Sequence, residues 1–297
     1  MDLPVDKTTE ASSDLVPPDD PFSPEEWESK TLAIDPGRFV WRLALACFGI
    51  EILLFWADAV INYGRLTEIG AVRRFFNTAR EDAFASWFSV TQTWMVGLTV
   101  AAIYIVVRRT SESRRRRAGW LVLSGFFLYL ALDDGSELHE RAGSTFKAIV
   151  GKSGKAAGEA SEGIAATLLG VFPSYTWQLL FLPIFGTLGI FMLVFLWREL
   201  RRPKLWWLIA AAAGLMVVAV GFDFLEGMDL DNPWNAHTWI MRDWDLTEYD
   251  VRHFSKSFEE VFEMMAMTLL WSVFLLQLFD EADGLEIRVK RDFDEAA

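Results

Sequence analysis

The sequence predicts an all-α, polytopic membrane protein with six transmembrane helices and both termini in the cytoplasm. Two observations predict the helices: 52% of the 297 residues are hydrophobic, and they are concentrated in long runs with few charges. A third observation predicts the orientation, because arginine and lysine cluster in two of the short links between these runs. A helix needs about 20 mostly apolar residues to cross a bilayer, and each run reaches that length.

Six runs qualify as membrane helices, and several lack the polar face that a helix in water requires. They form one transmembrane domain over residues 37–279, between two acidic tails of residues 1–36 and 280–297. The N-terminal tail is rich in proline, and its composition is typical of disorder. In chain order, the predicted helices are residues 38–63, 86–107, 118–140, 175–198, 205–226 and 256–279.

Basic residues in the short links set the orientation, because cytoplasmic loops carry an excess of Lys and Arg. Placing both basic links in the cytoplasm also places both tails there. The connections 64–85, 141–174 and 227–255 then lie outside. The basic residues are Arg108, Arg109, Arg114, Arg115, Arg116 and Arg117 in one link, and Arg198, Arg201, Arg202 and Lys204 in the other.

The formal net charge of −13 resides mostly in the tails. Residues 1–36 hold ten acids and two lysines, and residues 280–297 hold seven acids and three basic residues, so the body between them is nearly neutral. This distribution excludes a nucleic-acid binder, which needs a basic face. Because an anionic leaflet repels acidic tails, they predict basic partners in a membrane complex. Cys47 is the single cysteine, which excludes a disulfide scaffold.

Carboxylates gather at the predicted outer ends of the helices, where ionisable residues are costly and mark functional sites. The third helix ends in LDDGSELHER, the fifth ends in GFDFLEGMD, and the sixth begins with FEEVFEMMAM, so the three clusters lie at similar depth. The candidate ligands are Asp133, Asp134, Glu137, His139, Glu140, Asp223, Glu226, Glu259, Glu260 and Glu263, with Glu51, Asp58, Arg80 and Glu81 as further candidates.

Helical geometry refines the expected site. At about 100° per residue, an unbroken third helix places Asp133, Glu137 and Glu140 on one face and turns His139 away from it. His139 joins the site only if this helix end bends, for which Gly135 gives an opportunity.

Three other groups of residues carry weaker signals. Glu51, deep in the first helix, is expected to face the bundle interior beside a polar neighbour, for which Gln92 and Gln178 are the candidates. His237 and His253 lie in the third outer connection, where solvent exposure is the common state. In the same connection, the three tryptophans are predicted to form an interfacial belt or a lid. They are Trp234, Trp239 and Trp244.

So many carboxylates at one depth cannot all be ionised and unpaired. Three arrangements relieve the repulsion: a bound cation, protonation with hydrogen bonding, or pairing with Arg141, Arg252 and Lys256. The oxygen-rich set favours a divalent metal, with Ca, Mg, Mn, Fe and Zn left open. The Glu-x-x-His spacing of helix-bundle dimetal sites does not occur in the sequence.

Residues 40–275 resemble a widespread group of six-helix bacterial inner-membrane proteins. The resemblance is carried by AREDAFASWFSVTQTW, LDDGSELHER, GFDFLEG and FEEVFEMMAM, which match the group's Arg-Glu stretch, LDE…LHE, Gly-x-Glu and EE…EM motifs. Asp134 and Asp223 stand where the group has glutamate, which shortens the reach of both carboxylates. The resemblance implies the fold, an inner-membrane location and the carboxylate cluster. It implies no reaction, because no activity is assigned to the group.

Three functions follow from these observations, and whether the protein is an enzyme stays open. The first is a carboxylate and histidine site at the outer membrane face that binds a cation, either structurally or for chemistry on an amphiphile. The second is an accessory or structural subunit of a larger membrane complex, held through the acidic tails and aromatic helix faces. The third is an ion or proton transporter in which Glu51 extends the outer acidic cluster.

Overall fold

A computed structural model describes residues 31–33, 35–157, 176–228, 230–282 and 286–288. The described part of residues 34–285 forms one compact unit built of helices. Its α-helices are α1 (Pro36–Ala57), α2 (Gly70–Phe75), α3 (Phe84–Thr110), α4 (Arg114–Ser136), α5 (Leu138–Ala157), α6 (Thr176–Glu199), α7 (Trp206–Glu226), α8 (Ala236–Trp244) and α9 (Glu248–Glu281). A π-helix over Asp58–Tyr63 extends α1, and a 3-10 turn over Pro203–Leu205 precedes α7.

Local capping explains where several helices begin. The Asp35 side chain accepts a hydrogen bond from the backbone N–H of Arg38 at the start of α1, and Ser113 accepts one from Arg116 at the start of α4. At the start of α9, Thr247 and Asp250 form a capping box, in which each side chain accepts the backbone N–H of the other. These contacts satisfy donors that the first helical turn leaves without intrahelical partners.

Four helical segments in the described part of the chain are long and apolar enough to cross a membrane: Pro36–Tyr63, Phe84–Thr110, Pro203–Glu226 and Glu248–Glu281. They correspond to the first, second, fifth and sixth predicted helices. The helices α4 and α6 stand at the third and fourth predicted positions but are not among the four; α4 begins with four arginines and ends with two acids in its last turn. The all-α fold is confirmed for this unit, and the four apolar helices indicate a membrane protein in contact with lipid.

Two differences between the observed and predicted helix boundaries bear on the site. The third helix ends at Ser136, short of residue 140, because Glu137 adopts a left-handed backbone conformation (φ 54°) and α5 starts immediately after it. The following connection is therefore helical as far as Ala157. The sixth helix starts at Glu248 and not at residue 256, because the capping box at Thr247 lets the helix form before its apolar part begins.

The core is centred on α3, α4 and α9. Val100 and Ile103 of α3 are buried in one apolar cluster with Trp120 of α4 and Phe274 of α9. Gly97 permits the close approach of α3 and α4, since a Cβ at this position would lie 2.7 Å from Leu128 Cδ2 and 3.1 Å from the Leu128 backbone nitrogen. Small residues serve this purpose at helix contacts in membranes.

Charged side chains connect three helices at one end of the bundle. Glu281, near the end of α9, accepts hydrogen bonds from Arg116 at 2.5 Å and from Arg201 at 3.2 Å. Arg116, at the start of α4, also donates to Glu199 of α6 at 2.5 Å. The two arginine-rich links therefore meet at the same end of the bundle, which we call the arginine end.

The described terminal segments, residues 31–33 and 286–288, belong to a unit separate from the helical one. Within it, strand β1 (Thr31–Ala33) pairs antiparallel with strand β2 (Glu286–Arg288), with Leu32 opposite Ile287. The predicted disorder of the N-terminal tail concerns residues that lie mostly outside the described part of the chain.

Candidate functional site

A cavity of about 210 Å³ lies among α3, α4, α6, α7 and α9, at the end of the bundle away from the arginine end. It is lined by residues from each of the three predicted carboxylate clusters, and we call it the acidic cavity. The structure thus brings together eight of the ten candidate ligands and two of the further candidates. They are Asp133, Asp134, Glu137, His139, Asp223, Glu259, Glu260 and Glu263, together with Arg80 and Glu81.

The break between α4 and α5 directs His139 towards the acidic cavity. The ring Nδ1 of His139 lies 2.8 Å from Asp133 Oδ2, and its backbone N–H donates to Asp133 Oδ1 at 2.9 Å. The single helical face expected for Asp133, Glu137 and Glu140 does not form, because the helix ends before Glu137. The side chain of Glu140 lies outside the described residues.

Lys256 supplies a cation on the α9 wall of the acidic cavity. Its Nζ lies 2.8 Å from Glu259 Oε1 and 3.5 Å from Glu260 Oε1. Pairing with Lys256 was one of the three expected arrangements, and the structure contains it. The other two basic candidates make pairs of their own: Arg141 lies 3.6 Å from Glu137, and Arg252 lies 2.9 Å from Glu248.

Glu259 is incompletely satisfied. The residue is only 4% exposed, and no described group forms a hydrogen bond with its Oε2. A buried carboxylate oxygen without a partner costs free energy comparable to a lost hydrogen bond, and more if the group is charged. The position therefore favours a proton, water or bound cation beside Oε2.

The α3 wall contributes hydroxyl groups that the sequence analysis missed. Ser89 Oγ donates to Asp134 Oδ2 at 3.0 Å. Ser86, Ser89 and Thr93 all line the acidic cavity, and their spacing of three and four residues places them on one face of α3. That spacing is the sequence signal that identifies this wall.

The acidic cavity carries an excess of acidic groups. Among the described residues, eight carboxyl side chains line it, against Lys256, Arg80 and His139. Arg80 also contacts Asp82, with 2.9 Å between Nε and Oδ1, and hydrogen bonds from Arg80 and then Arg74 lower the pKa of Asp82 to about 2. Part of the Arg80 charge is thus directed away from the cavity.

Within the described ranges, no three His, Cys, Asp or Glu side chains are arranged to hold a metal ion.

A second, more open cavity of about 500 Å³ lies beside the first, and we call it the vestibule. Lys256 lines both cavities and therefore stands between them. Glu226, which was expected among the ligands, lines the vestibule instead. The other lining residues are Asn77, Ala79, Glu248, Tyr249, Arg252 and His253.

Asp58 belongs to a separate hydrogen-bonding network and lines neither of these two cavities. Its Oδ2 accepts from Thr78 Oγ1 at 2.7 Å and from Ser257 Oγ at 2.9 Å, and its Oδ1 accepts from Asn62 at 2.8 Å. His253 Nε2 lies 3.2 Å from Oδ2. This network ties the π-helix after α1 to α9 and to the segment before α3.

Glu51 also bonds outside the acidic cavity. Its Oε1 accepts from Gln92 Nε2 at 3.0 Å and from Thr268 Oγ1 at 2.5 Å, so α1, α3 and α9 are linked by polar contacts inside the bundle. The structure thus places Gln92, one of the two expected neighbours, beside Glu51. The side chain of Gln178 lies outside the described residues.

His237 and His253 are buried, contrary to the exposure expected for this connection. His237 Nε2 lies 3.0 Å from Ser255 Oγ. Burial lowers the pKa of His237, and the charge of Arg252 lowers it further. His253 is in α9, where its ring stacks on Tyr63 with centroids 5.6 Å apart.

The three tryptophans of this connection are exposed, and their role as a belt or lid stays a prediction.

Comparisons with curated proteins and with solved structures find no match to this chain. A family model described as a domain of unknown function, DUF8692, matches residues 43–278. The matched range includes every residue named above as lining the acidic cavity. Because the match extends over well more than half of its length, the chain belongs to the DUF8692 family.

Proposed function

We propose that this membrane protein binds a cation in the acidic cavity. The observation that carries the proposal is Glu259, which is buried in a cavity rich in carboxyl groups and has an Oε2 without a hydrogen-bond partner among the described residues. Lys256 neutralises only part of the charge on this wall, since one ammonium faces both Glu259 and Glu260.

The surroundings strengthen the attraction of the acidic cavity for a cation. Coulombic interactions are several-fold stronger in a partly buried site than in water, because the effective dielectric constant is lower. The carboxylates repel one another in the same environment, and a bound cation removes both this repulsion and the cost of the unsatisfied Glu259 oxygen. A neutral hydrogen-bond donor could satisfy the Glu259 oxygen but would leave the repulsion between the carboxylates in place.

Equilibrium binding to the purified protein in a nonionic detergent tests the proposal. Mn²⁺, Ca²⁺ and methylammonium are titrated separately, with methanol as the uncharged control. At least one cation should bind saturably. Glu263→Gln should weaken the binding of that cation about tenfold or more, because the substitution removes one charged contact. The matched control is Glu112→Gln, an exposed acid in the link between α3 and α4. Absence of binding by all three cations, or equal effects of both substitutions, would contradict the proposal.

For the topology, we propose six membrane crossings with both termini in the cytoplasm of a bacterial inner membrane. The two basic links contact the end of α9, which supports placing all three segments on the same side of the membrane. Cys47→Ser gives a background for single cysteines, which are probed with a membrane-impermeant maleimide in intact cells. In this background, Asp231→Cys should react and Glu112→Cys should not. The reverse pattern would contradict this orientation.

We also propose, as a second function, a role as an accessory subunit of a membrane complex. The supporting observation is the acidity of the two tails, since residues 1–36 hold ten acids and two lysines and residues 280–297 hold seven acids and three basic residues, which suits basic partner surfaces. Mass measurement of the native particle in mild detergent tests this. A particle with a stoichiometric second protein, released when residues 1–30 are deleted, is expected, and a lone monomer would contradict it.

A further inference from the structure

We propose that the cation is a primary ammonium group attached to an apolar tail, and that this group replaces the Lys256 ammonium on Glu259. The inference rests on the cation site proposed above and names the class of its ligand. Three features of the acidic cavity carry it: the ammonium already held there, the apolar residues that share its walls, and the position of Lys256 between the cavity and the vestibule.

The contacts of Lys256 show which head group the carboxylates accept. A primary ammonium is a compact charge with three donors, and that of Lys256 lies 2.8 Å from Glu259 Oε1 and 3.5 Å from Glu260 Oε1. A free ammonium is not tethered to α9, so it can contact the same two carboxylates and shift towards the unsatisfied Glu259 Oε2. A metal ion needs several oxygen ligands around one point, and the described side chains are not arranged in that way.

Five apolar residues share the walls of the acidic cavity with the polar groups, and they suit a hydrocarbon tail. Burial of apolar surface there would add to affinity, whereas a bare metal ion gains nothing from such walls. Val220 lines the acidic cavity and is also 41% exposed on α7, one of the four apolar helices, so this wall adjoins the surface that faces lipid. The apolar lining residues are Leu130, Phe185, Met216, Val220 and Met267.

The size of the acidic cavity fits such a ligand better than a single ion. Its volume of about 210 Å³ is many times the ~10–15 Å³ that one water molecule requires. Lys256 occupies the boundary with the vestibule, so a ligand ammonium that arrives there competes with Lys256 for the same carboxylate. A lysine side chain is flexible and can move aside towards the vestibule.

Titration of the full-length protein with n-hexylammonium tests the inference, with hexanol, methylammonium and Mn²⁺ as comparisons. Hexylammonium should bind saturably and about tenfold or more tighter than methylammonium, given ~0.8 kcal/mol per buried CH₂. Hexanol should not bind saturably. Lys256→Met should tighten hexylammonium binding several-fold, because it removes the competitor, and Lys204→Met at the arginine end should leave it unchanged.

Phe185→Ala provides a second variant that leaves the charges intact. It should weaken hexylammonium binding and leave methylammonium binding unchanged. Binding of Mn²⁺ or methylammonium without a gain for hexylammonium would overturn the inference and leave the cation site standing. If folded Lys256→Met binds hexylammonium as well as the parent protein does, or more weakly, Lys256 does not compete with the ligand for Glu259. Absence of binding by every cation would overturn the inference and the proposed function together.

Discussion

Asp133 holds His139 by two contacts across the break between α4 and α5: its Oδ2 lies 2.8 Å from the ring Nδ1, and its Oδ1 accepts the backbone N–H at 2.9 Å. The carboxylate thus caps the start of α5 and fixes the orientation of the imidazole. Because Asp133 is itself buried, this pair forms a rigid wall of the acidic cavity.

Asp133→Ala should lower the stability of the folded protein by about 1–3 kcal/mol, because it leaves a backbone donor and the imidazole without their partner. Asp133→Asn should cost less, since its carbonyl oxygen can still accept the N–H of His139. Thermal unfolding followed by tryptophan fluorescence measures both variants. Asp243→Ala, which removes an exposed pair with Arg242, is the control and should change little. An equal effect of Asp133→Ala and the control would refute this role.

Glu281 should contribute more to stability than its neighbour Asp280. The Glu281 side chain is 1% exposed and bridges Arg116 and Arg201, whereas Asp280 is 15% exposed and pairs with Arg202. Removal of a buried carboxylate that accepts charged hydrogen bonds costs ~1.5–3 kcal/mol. The Asp280 pair contributes less, because Arg202 is 46% exposed and solvent screens its charge. Unfolding of Glu281→Gln and Asp280→Asn, measured side by side, should show this order. A larger loss for Asp280→Asn would mean that the bridge does not join the helices.

Folding stability should fall as the pH drops below the ordinary histidine pKa of 6.5, partly because of His237. The pKa of His237 is lowered in the folded protein, so the unfolded chain takes up the proton first and is favoured in acid. This contribution is present above pH 6.5 and is lost towards the lower folded pKa.

Unfolding temperatures between about pH 5 and about pH 8 test the His237 contribution. His237→Gln should show a smaller loss in acid than the parent protein. Identical pH profiles for the two proteins would assign the acid sensitivity to other groups.

The Glu51 network should respond cooperatively to substitution. Thr268→Val should destabilise the protein by about 1–3 kcal/mol, because it removes a hydrogen bond to a buried carboxyl group. Replacing both partners by apolar groups of similar shape can be nearly neutral. Thr268→Val combined with Glu51→Leu and Gln92→Leu should therefore be less unstable than the sum of the three single losses. Additive losses would show that the three side chains act independently.

The sequence predicts the helices well because membrane crossings need long apolar runs, and these are visible without tertiary information. The start of α9 could not be predicted in this way, since residues 248–255 include four charged or histidine side chains and their helix depends on the cap at Thr247. Gly135 indicated that the end of the third helix could bend, but the position of the break at Glu137 was out of reach, because glutamate rarely adopts positive φ.

The sequence shows which charged residues belong to the site, but it does not show which side chains they contact. The carboxylates stand out against an apolar background, whereas Ser89 and Thr93 look like ordinary helix residues until α3 is placed beside α4. His237 is buried because α8 packs near α9 and brings its ring to Ser255, and loop composition alone does not reveal that contact. Tertiary packing therefore decided which of the acids share a cavity and which, like Asp58, are satisfied elsewhere.

Anomalous diffraction would show whether a cation occupies the acidic cavity. Crystals would be grown with Mn²⁺ or with a bromine-labelled alkylammonium at saturating concentration. The predicted result is an anomalous peak inside the cavity, from the metal beside Glu259 and Glu263 or from the bromine against Phe185 and Val220. A cavity that holds only water, with every anomalous peak on the protein surface, would contradict the account.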